Sequence, residues 1–145
     1  MAYGFFMRKD AREAVFKIVY AYNFTSEFDE DLITQTFDDC NLSSEDKTFA
    51  TRLLDTIKEH YDEITGVISD LAVNYMLERV YSTDKCALIL GIAEMKFFDD
   101  VPNIVAIDEA LSLCKKYSTE KSLGFVNGIF AKYKTMIESP ESQTV

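Results

Sequence analysis

At 145 residues, with 48% hydrophobic and 13% aromatic content, the chain is long enough to fold as one domain around a core that needs no disulfide or metal. A formal net charge of −10 excludes a protein that coats nucleic acid through bulk positive charge. Nowhere do about 18 apolar residues run together, as a membrane span requires, and the start lacks an apolar segment of signal-peptide length. Cys40, Cys86 and Cys114 are odd in number and widely spaced, which favours reduced thiols, so a cytoplasmic protein with no membrane association is expected.

Few glycines and prolines and no alternating β-branched runs predict an all-α fold, a compact bundle of about six or seven helices. Residues 1–7 read as a flexible N-terminal arm, 8–138 as a single helical domain and 139–145 as a flexible C-terminal tail. The first helix begins at Arg8, with Ala11, Ala14, Val15, Ile18 and Tyr22 as its apolar stripe and Arg8, Lys9 and Arg12 on a more polar side. Cations in a first turn oppose the helix dipole at a cost of roughly a few tenths of a kcal/mol. A solvated face and an anion-binding face both fit these three residues.

Asp29 or Glu30 opens a short second helix through Leu32, Ile33 and Phe37. Ser43 or Ser44, followed by Glu45 and Asp46, caps a long third helix. Its residues Ala50, Leu54, Ile57, Tyr61, Ile64, Ile68 and Leu71 form a heptad seam that the chain's own helices can cover, and Gly66 marks a kink or frayed turn. After a turn near 74–81, Ser82 caps a helix in which CALILGIA is apolar on every side, so this helix belongs in the middle of the bundle. Gly91 within it admits a close neighbour.

The stretch from Asp99 to Tyr133 forms a helical hairpin. Pro102 suits a first turn, Ile104, Ile107, Leu111 and Cys114 form an apolar stripe, and Lys115 and Lys116 complement the C-terminal dipole. Val126, Ile129 or Phe130, Tyr133 and Met136 or Ile137 repeat the period in a final helix after a short connection at Ser118. Asn127-Gly128 is ordinarily a tight-turn signal between strands, but the flanking period of 3.6 overrules it. Gly124 and Gly128 then share a helix face, and close packing is the preferred reason over a ligand site.

No catalytic chemistry is legible. The single histidine, His60, has no partners at metal-ligand spacing, no phosphate loop or nucleophile motif occurs, and paired carboxylates such as Asp108-Glu109 are expected of an acidic chain; no enzyme, cofactor or metal is predicted. Charge, however, is uneven. Residues 27–46 carry eight acids and no base, whereas 110–136 carry five bases against Glu120 alone. If the basic first helix and the basic C-terminal hairpin are neighbours, Arg8, Lys9 and Arg12 would hold phosphates, Lys121, Lys132 and Lys134 would extend the track, and Tyr20, Phe125 or Tyr133 would stack on bases.

Val-Pro, then VAIDEALSLCKKY, then FVNG in the last helix, with KDAREAVFKIVY near the start, resembles the NusB family of bacterial transcription antitermination factors over roughly residues 8–136. The resemblance implies two packed helical subdomains that bind boxA-type single-stranded RNA together with the ribosomal protein NusE. It further implies a complex that joins elongating RNA polymerase and supports ribosomal RNA synthesis. On this likeness Arg8, Lys9 and Arg12 match the arginine-rich segment, Tyr20 an aromatic of the first helix, and Phe125 and Asn127 the FVNG region. Asp84 and Glu94 fall at acidic positions on or near the NusE-facing side, and a homodimer remains open. Asp10 interrupts the usual basic run, Ile89 replaces an arginine and Gly124 replaces a basic residue, so weak intrinsic RNA affinity that depends on NusE is expected. The alternative is a helical interaction module that binds no RNA and docks a basic partner through its acidic face.

Overall fold

The computed structural model describes residues 8–72 and 80–139. The expected N-terminal arm, most of the turn before Ser82 and the tail beyond Ser139 lie outside the described residues. Among those described there are six α-helices and no strand: α1 (Lys9–Thr25), α2 (Glu30–Asp39), α3 (Ser44–Leu71), α4 (Ser82–Phe97), α5 (Asn103–Tyr117) and α6 (Glu120–Glu138).

The helix boundaries follow local chemistry. Ser26 ends α1 in the left-handed region at φ 60°. The Asp29 side chain accepts from the Asp31 amide at 3.0 Å to start α2, and Ser43 Oγ accepts from the Asp46 amide at 3.1 Å to start α3. Thr119 Oγ1 accepts from the Ser122 amide at 3.2 Å to start α6 directly after α5. At α4 the expected Ser82 cap is absent: Tyr81 takes the N-cap position and offers no side-chain bond, because Ser82 already belongs to the first turn.

Every residue of α4 from Cys86 to Met95 is buried, and the helix packs against α1, α3, α5 and α6. The apolar run in the sequence did mark the centre of the bundle. One continuous core runs from Ala11 in α1 to Tyr133 in α6. At Gly91 an added Cβ would fall inside contact distance of the fully buried Phe130 ring and 3.3 Å from Ala110 Cβ.

Close approach at Gly91 also explains where the α5 stripe departs from expectation. Ile104 is 61% exposed, and the buried face is Ala106, Ile107, Ala110, Leu113 and Cys114. Ala110 meets the α4 backbone at Gly91, where a larger side chain would not fit; Ile107 and Cys114 of the expected stripe are buried, whereas Ile104 is exposed and Leu111 lies at the edge. In α6, Val126, Ile129, Phe130 and Tyr133 are buried as expected, while Met136 is exposed. The kink in α3 lies at His60 (φ −116°, ψ 23°), whose ring stacks on Phe97 at 4.2 Å, and not at Gly66. Asn127 and Gly128 are helical, but nothing lies within 4 Å of a Cβ built at Gly124 or Gly128, so the packing reading of those glycines is corrected: their face of α6 is open.

These two glycine environments predict opposite signs. Gly91→Val should lower stability in urea denaturation by about 1–3 kcal/mol through overpacking. Gly124→Ala, meeting no atom, should raise it by roughly 0.5–1 kcal/mol through helix propensity. Equal effects would mean that α4 does not approach α6 as closely as described.

Candidate nucleic-acid interface

The C-terminal end of α5, the N-termini of α4 and α6, and the middle of α1 meet at one end of the bundle. Two adjoining hollows open there and share Tyr81 and Thr119. One, of about 420 Å³, is lined by Tyr20, Ser82, Thr83, Tyr117 and Ser118 as well; the other, of about 520 Å³, by Val80, Asp84, Lys121, Ser122 and Phe125. Together they form a groove carrying four aromatic side chains. Tyr20 is 39% and Tyr81 68% exposed, so their rings are presented to solvent without unfolding anything.

The groove walls are held by hydrogen bonds. Ser118 Oγ donates to Asp84 Oδ1 at 2.6 Å, and Cys114 Sγ lies 3.7 Å from the same oxygen, tying the end of α5 to the start of α4. Burial, and next the adjacent Asp84 carboxylate, push the Cys114 thiol up to about 12. Tyr117 stacks on Phe16 at 5.1 Å and its hydroxyl donates to Glu13, which also accepts from Lys116 Nζ at 2.6 Å. Burial raises the Glu13 carboxyl, but the bonds from Lys116 and Tyr117 outweigh it and hold the group below its ordinary value.

Of the residues singled out from sequence, Tyr20, Lys121 and Phe125 come together in the groove. Asn127 is exposed on α6 but lines neither hollow, and Arg8 and Lys9 stand at the far end of α1. Three placements are corrected. Arg12 is 1% exposed, its Nε and Nη2 donating to Glu94 at 2.7–3.1 Å, because it faces α4 across the bundle interior with Ala11 and Val15. Glu94, also 1% exposed, is the buried partner of that arginine, and Asp84, 2% exposed at the wall of the second hollow, is the anchor of Ser118, so both acids are interior groups with structural partners and not exposed surface charges.

Sequence reasoning missed Tyr81 and Tyr117. Each stands beside a helix end, Tyr81 before the Ser-Thr-Asp start of α4 and Tyr117 at the close of α5, and adjacency to a terminus was the available signal. Also unmarked were Arg52, which donates twice to Asp100 at 2.9 and 3.1 Å, and the exposed Lys17 on α1. Among the described residues no group of three or more His, Cys, Asp or Glu is placed to hold a metal ion, and no helix is long and apolar enough to cross a membrane.

An all-helical fold whose groove gathers aromatic faces with Lys121 at its rim has the make-up of a binding protein. The chain belongs to the NusB family, whose model matches residues 9–135. Its relatives carry the name transcription antitermination protein NusB. That of Finegoldia magna is 31% identical over 122 residues, covering 84% of this chain and 89% of the relative, and that of Methylacidiphilum infernorum is 36% identical over 123 residues, covering 84% and 86%. NusB of T. maritima superposes with a TM-score of 0.80 at 34% identity, over 86% of this chain and 88% of that one. A chain in the crystal structure of antitermination factors NusB and NusE in complex with dsRNA gives 0.79 at 28% identity, over 87% and 94%. The all-α reading and the family resemblance are both borne out.

Arg12→Ala should cost about 3–5 kcal/mol in urea denaturation, because it leaves the buried Glu94 carboxyl without its bidentate partner, whereas the double variant Arg12→Met, Glu94→Leu should recover most of that loss. A stable single variant would return Arg12 to the surface. Glu13, and Asp100 next to Arg52, both have folded values below their ordinary 4.5 and 3.8. Their stabilisation is therefore fully present above those values and lost as pH falls through the depressed ones. Thermal midpoints followed from pH 6 to about 2.5 should fall less steeply in a Glu13→Gln, Asp100→Asn double variant than in the parent.

Proposed function

We propose that this chain binds boxA-type single-stranded RNA together with the ribosomal protein NusE, and in that complex supports antitermination by elongating RNA polymerase during ribosomal RNA synthesis in the cytoplasm. The observation that carries the reading is the groove, where Tyr20, Tyr81, Tyr117 and Phe125 converge with Lys121 at the rim. Unstacked bases need aromatic faces that are already exposed, and a stacked base is worth about 1–3 kcal/mol, enough to offset an unfavourable overall charge. Lys9 and Lys17, both exposed on α1, and Lys116 at the end of α5 extend the cationic side of the groove along α1.

Support from kinship is of the same kind. A family member of similar fold is found in a complex with NusE and dsRNA, and this chain has an aromatic on the first helix and the Phe-Val-Asn-Gly segment. The burial of Asp84 and Glu94 supports a reading in which NusE is met by other surface groups. The reading without RNA rests on the exposed acids of α2 and its flanks, including Glu27, Asp29, Glu30, Asp31, Asp38 and Asp39, which suit a basic protein.

The test is anisotropy titration of a boxA-like single-stranded RNA, with and without NusE, over a salt series. Binding should be much tighter with NusE. For three phosphate contacts log affinity should fall against log salt with a slope of about −2. Tyr20→Ala and Phe125→Ala should each weaken binding by about 5- to 150-fold while leaving NusE binding intact. RNA that fails to bind even with NusE present, while NusE itself binds, would leave the interaction module.

A further inference from the structure

Far from the groove, where α1 begins and α4 runs into α5, two arginines are mounted on aromatic faces. The Arg8 guanidinium lies 4.4 Å from the centre of the Phe49 ring, and that of Arg52 lies 3.9 Å from the centre of Phe98. Phe49 and Phe98 are buried and meet edge to face at 5.6 Å, so both platforms are fixed by the core. Between the two guanidinium groups sits one carboxylate. Asp100 accepts both arms of the Arg52 fork at 2.9 and 3.1 Å and stands 3.8 Å from Arg8 Nη1. The side chains of Arg52 and Asp100 are 44% and 48% exposed, so solutes reach them.

We propose that Arg8 and Arg52 form a second phosphate site for the RNA backbone, outside the groove, and that Asp100 is its built-in, displaceable occupant. The inference rests on the RNA-binding reading above. A guanidinium stacked on an aromatic ring keeps its planar fork oriented, and that fork accepts a carboxylate or a phosphate in the same bidentate geometry. The Arg52 fork grips the acceptor bidentately and the Arg8 guanidinium, 25% exposed with its Nη1 buried, adds its charge from 3.8 Å, so an oxyanion site is already assembled. Asp100 satisfies it from the short loop between Phe98 and Pro102, and its exposed side chain can rotate away while buried Val101 holds the loop.

Position favours nucleic acid over a protein carboxylate as the incoming group. Arg8 precedes Tyr20 by twelve residues, which along a helix is about 18 Å, a span of a few nucleotides. Lys9 and Lys17 lie exposed on α1 over that interval, with Lys116 bound to Glu13 at its middle. A strand leaving the groove along α1 thus passes cations before it reaches the arginine pair. The site adds length-dependent affinity without reading any base.

The experiment compares two single-stranded RNAs that share a boxA-like core, one just filling the groove and one extended by several nucleotides on both sides, each titrated into the full chain with NusE. For the parent, the longer RNA should show a salt slope steeper by about 1.4, two contacts at about 0.7 each. Arg52→Ala should weaken the longer RNA by about three- to tenfold and remove part of the extra slope, Arg52→Lys should do so partially, and Asp100→Asn should strengthen it to a similar degree. All three variants should bind the short RNA as the parent does. Unchanged binding of the long RNA by Arg52→Ala and Asp100→Asn would overturn the inference while leaving the groove reading in place. A loss of NusE affinity in Arg52→Ala, with RNA affinity conserved, would assign the site to a protein carboxylate and equally overturn it. If neither RNA binds the parent, the groove reading falls and takes this site with it.

Discussion

The bidentate pair between Arg12 and Glu94 is the interaction on which the rest of the arrangement depends. Both charges are removed from water, and desolvating two ions costs several kcal/mol each, so the pair is not retained for net stability. Burial pushes the Glu94 carboxyl above its ordinary range, and the Arg12 guanidinium opposes that rise. What the pair supplies is direction. Apolar contacts between α1 and α4 would tolerate sliding by a turn, since burial is non-directional, but a buried guanidinium fork has one acceptable partner position. With Arg12 fixed against the last turn of α4, Glu13 is delivered to the end of α5 and Tyr20, about two turns on, to the start of α4. The groove is in that sense set from the interior, by residues that never touch it.

This also accounts for what the sequence made legible and what it hid. Helix existence, the caps at Asp29 and Ser43 and the central place of CALILGIA are local properties, and composition and spacing display them. The face a helix turns inward is not local. In α5 the larger Ile104 lost to Ala106 and Ala110 because the neighbour at Gly91 has no side chain, a fact that resides in a different helix. Arg12 was misread for the same reason: on α1 it is simply one of three cations at the start of a helix, and only Glu94, 82 residues later, makes it a core residue. Tyr20, Lys121 and Phe125, which line the groove, could be picked out in the sequence because family motifs name two of those positions and charge named the third, while Tyr81 and Tyr117 belong to no periodic stripe.

The net charge of −10 poses a problem for any RNA-binding role that an average over the chain cannot resolve. Exposed charges interact over roughly a Debye length, about 8 Å at physiological salt, so what matters is the local company of each cation. Here the cations nearest the proposed RNA path are already in the company of acids: Lys116 is bound to Glu13, Arg52 to Asp100, and Arg8 lies near Asp100, Asp46 and Glu94. Each acid lowers the free charge of the surface while keeping the cationic group oriented. In the free protein those contacts are satisfied, and an incoming phosphate must exchange with them.

Exchange differs from simple attraction in a way that bears on partner dependence. A bare cationic patch would bind phosphate of any sequence strongly at low salt, which for an abundant RNA pool means little discrimination. A patch whose cations are already paired gains only the difference between a phosphate and a carboxylate, so backbone contacts contribute modestly and the stacking groove decides which RNA stays. Such a balance leaves intrinsic affinity low and places the decision with whatever else holds the RNA in register. A second protein that fixes the strand over Tyr20 and Phe125 would raise the local phosphate concentration at the arginine pair, turning weak exchange into occupancy without any change in the contacts themselves.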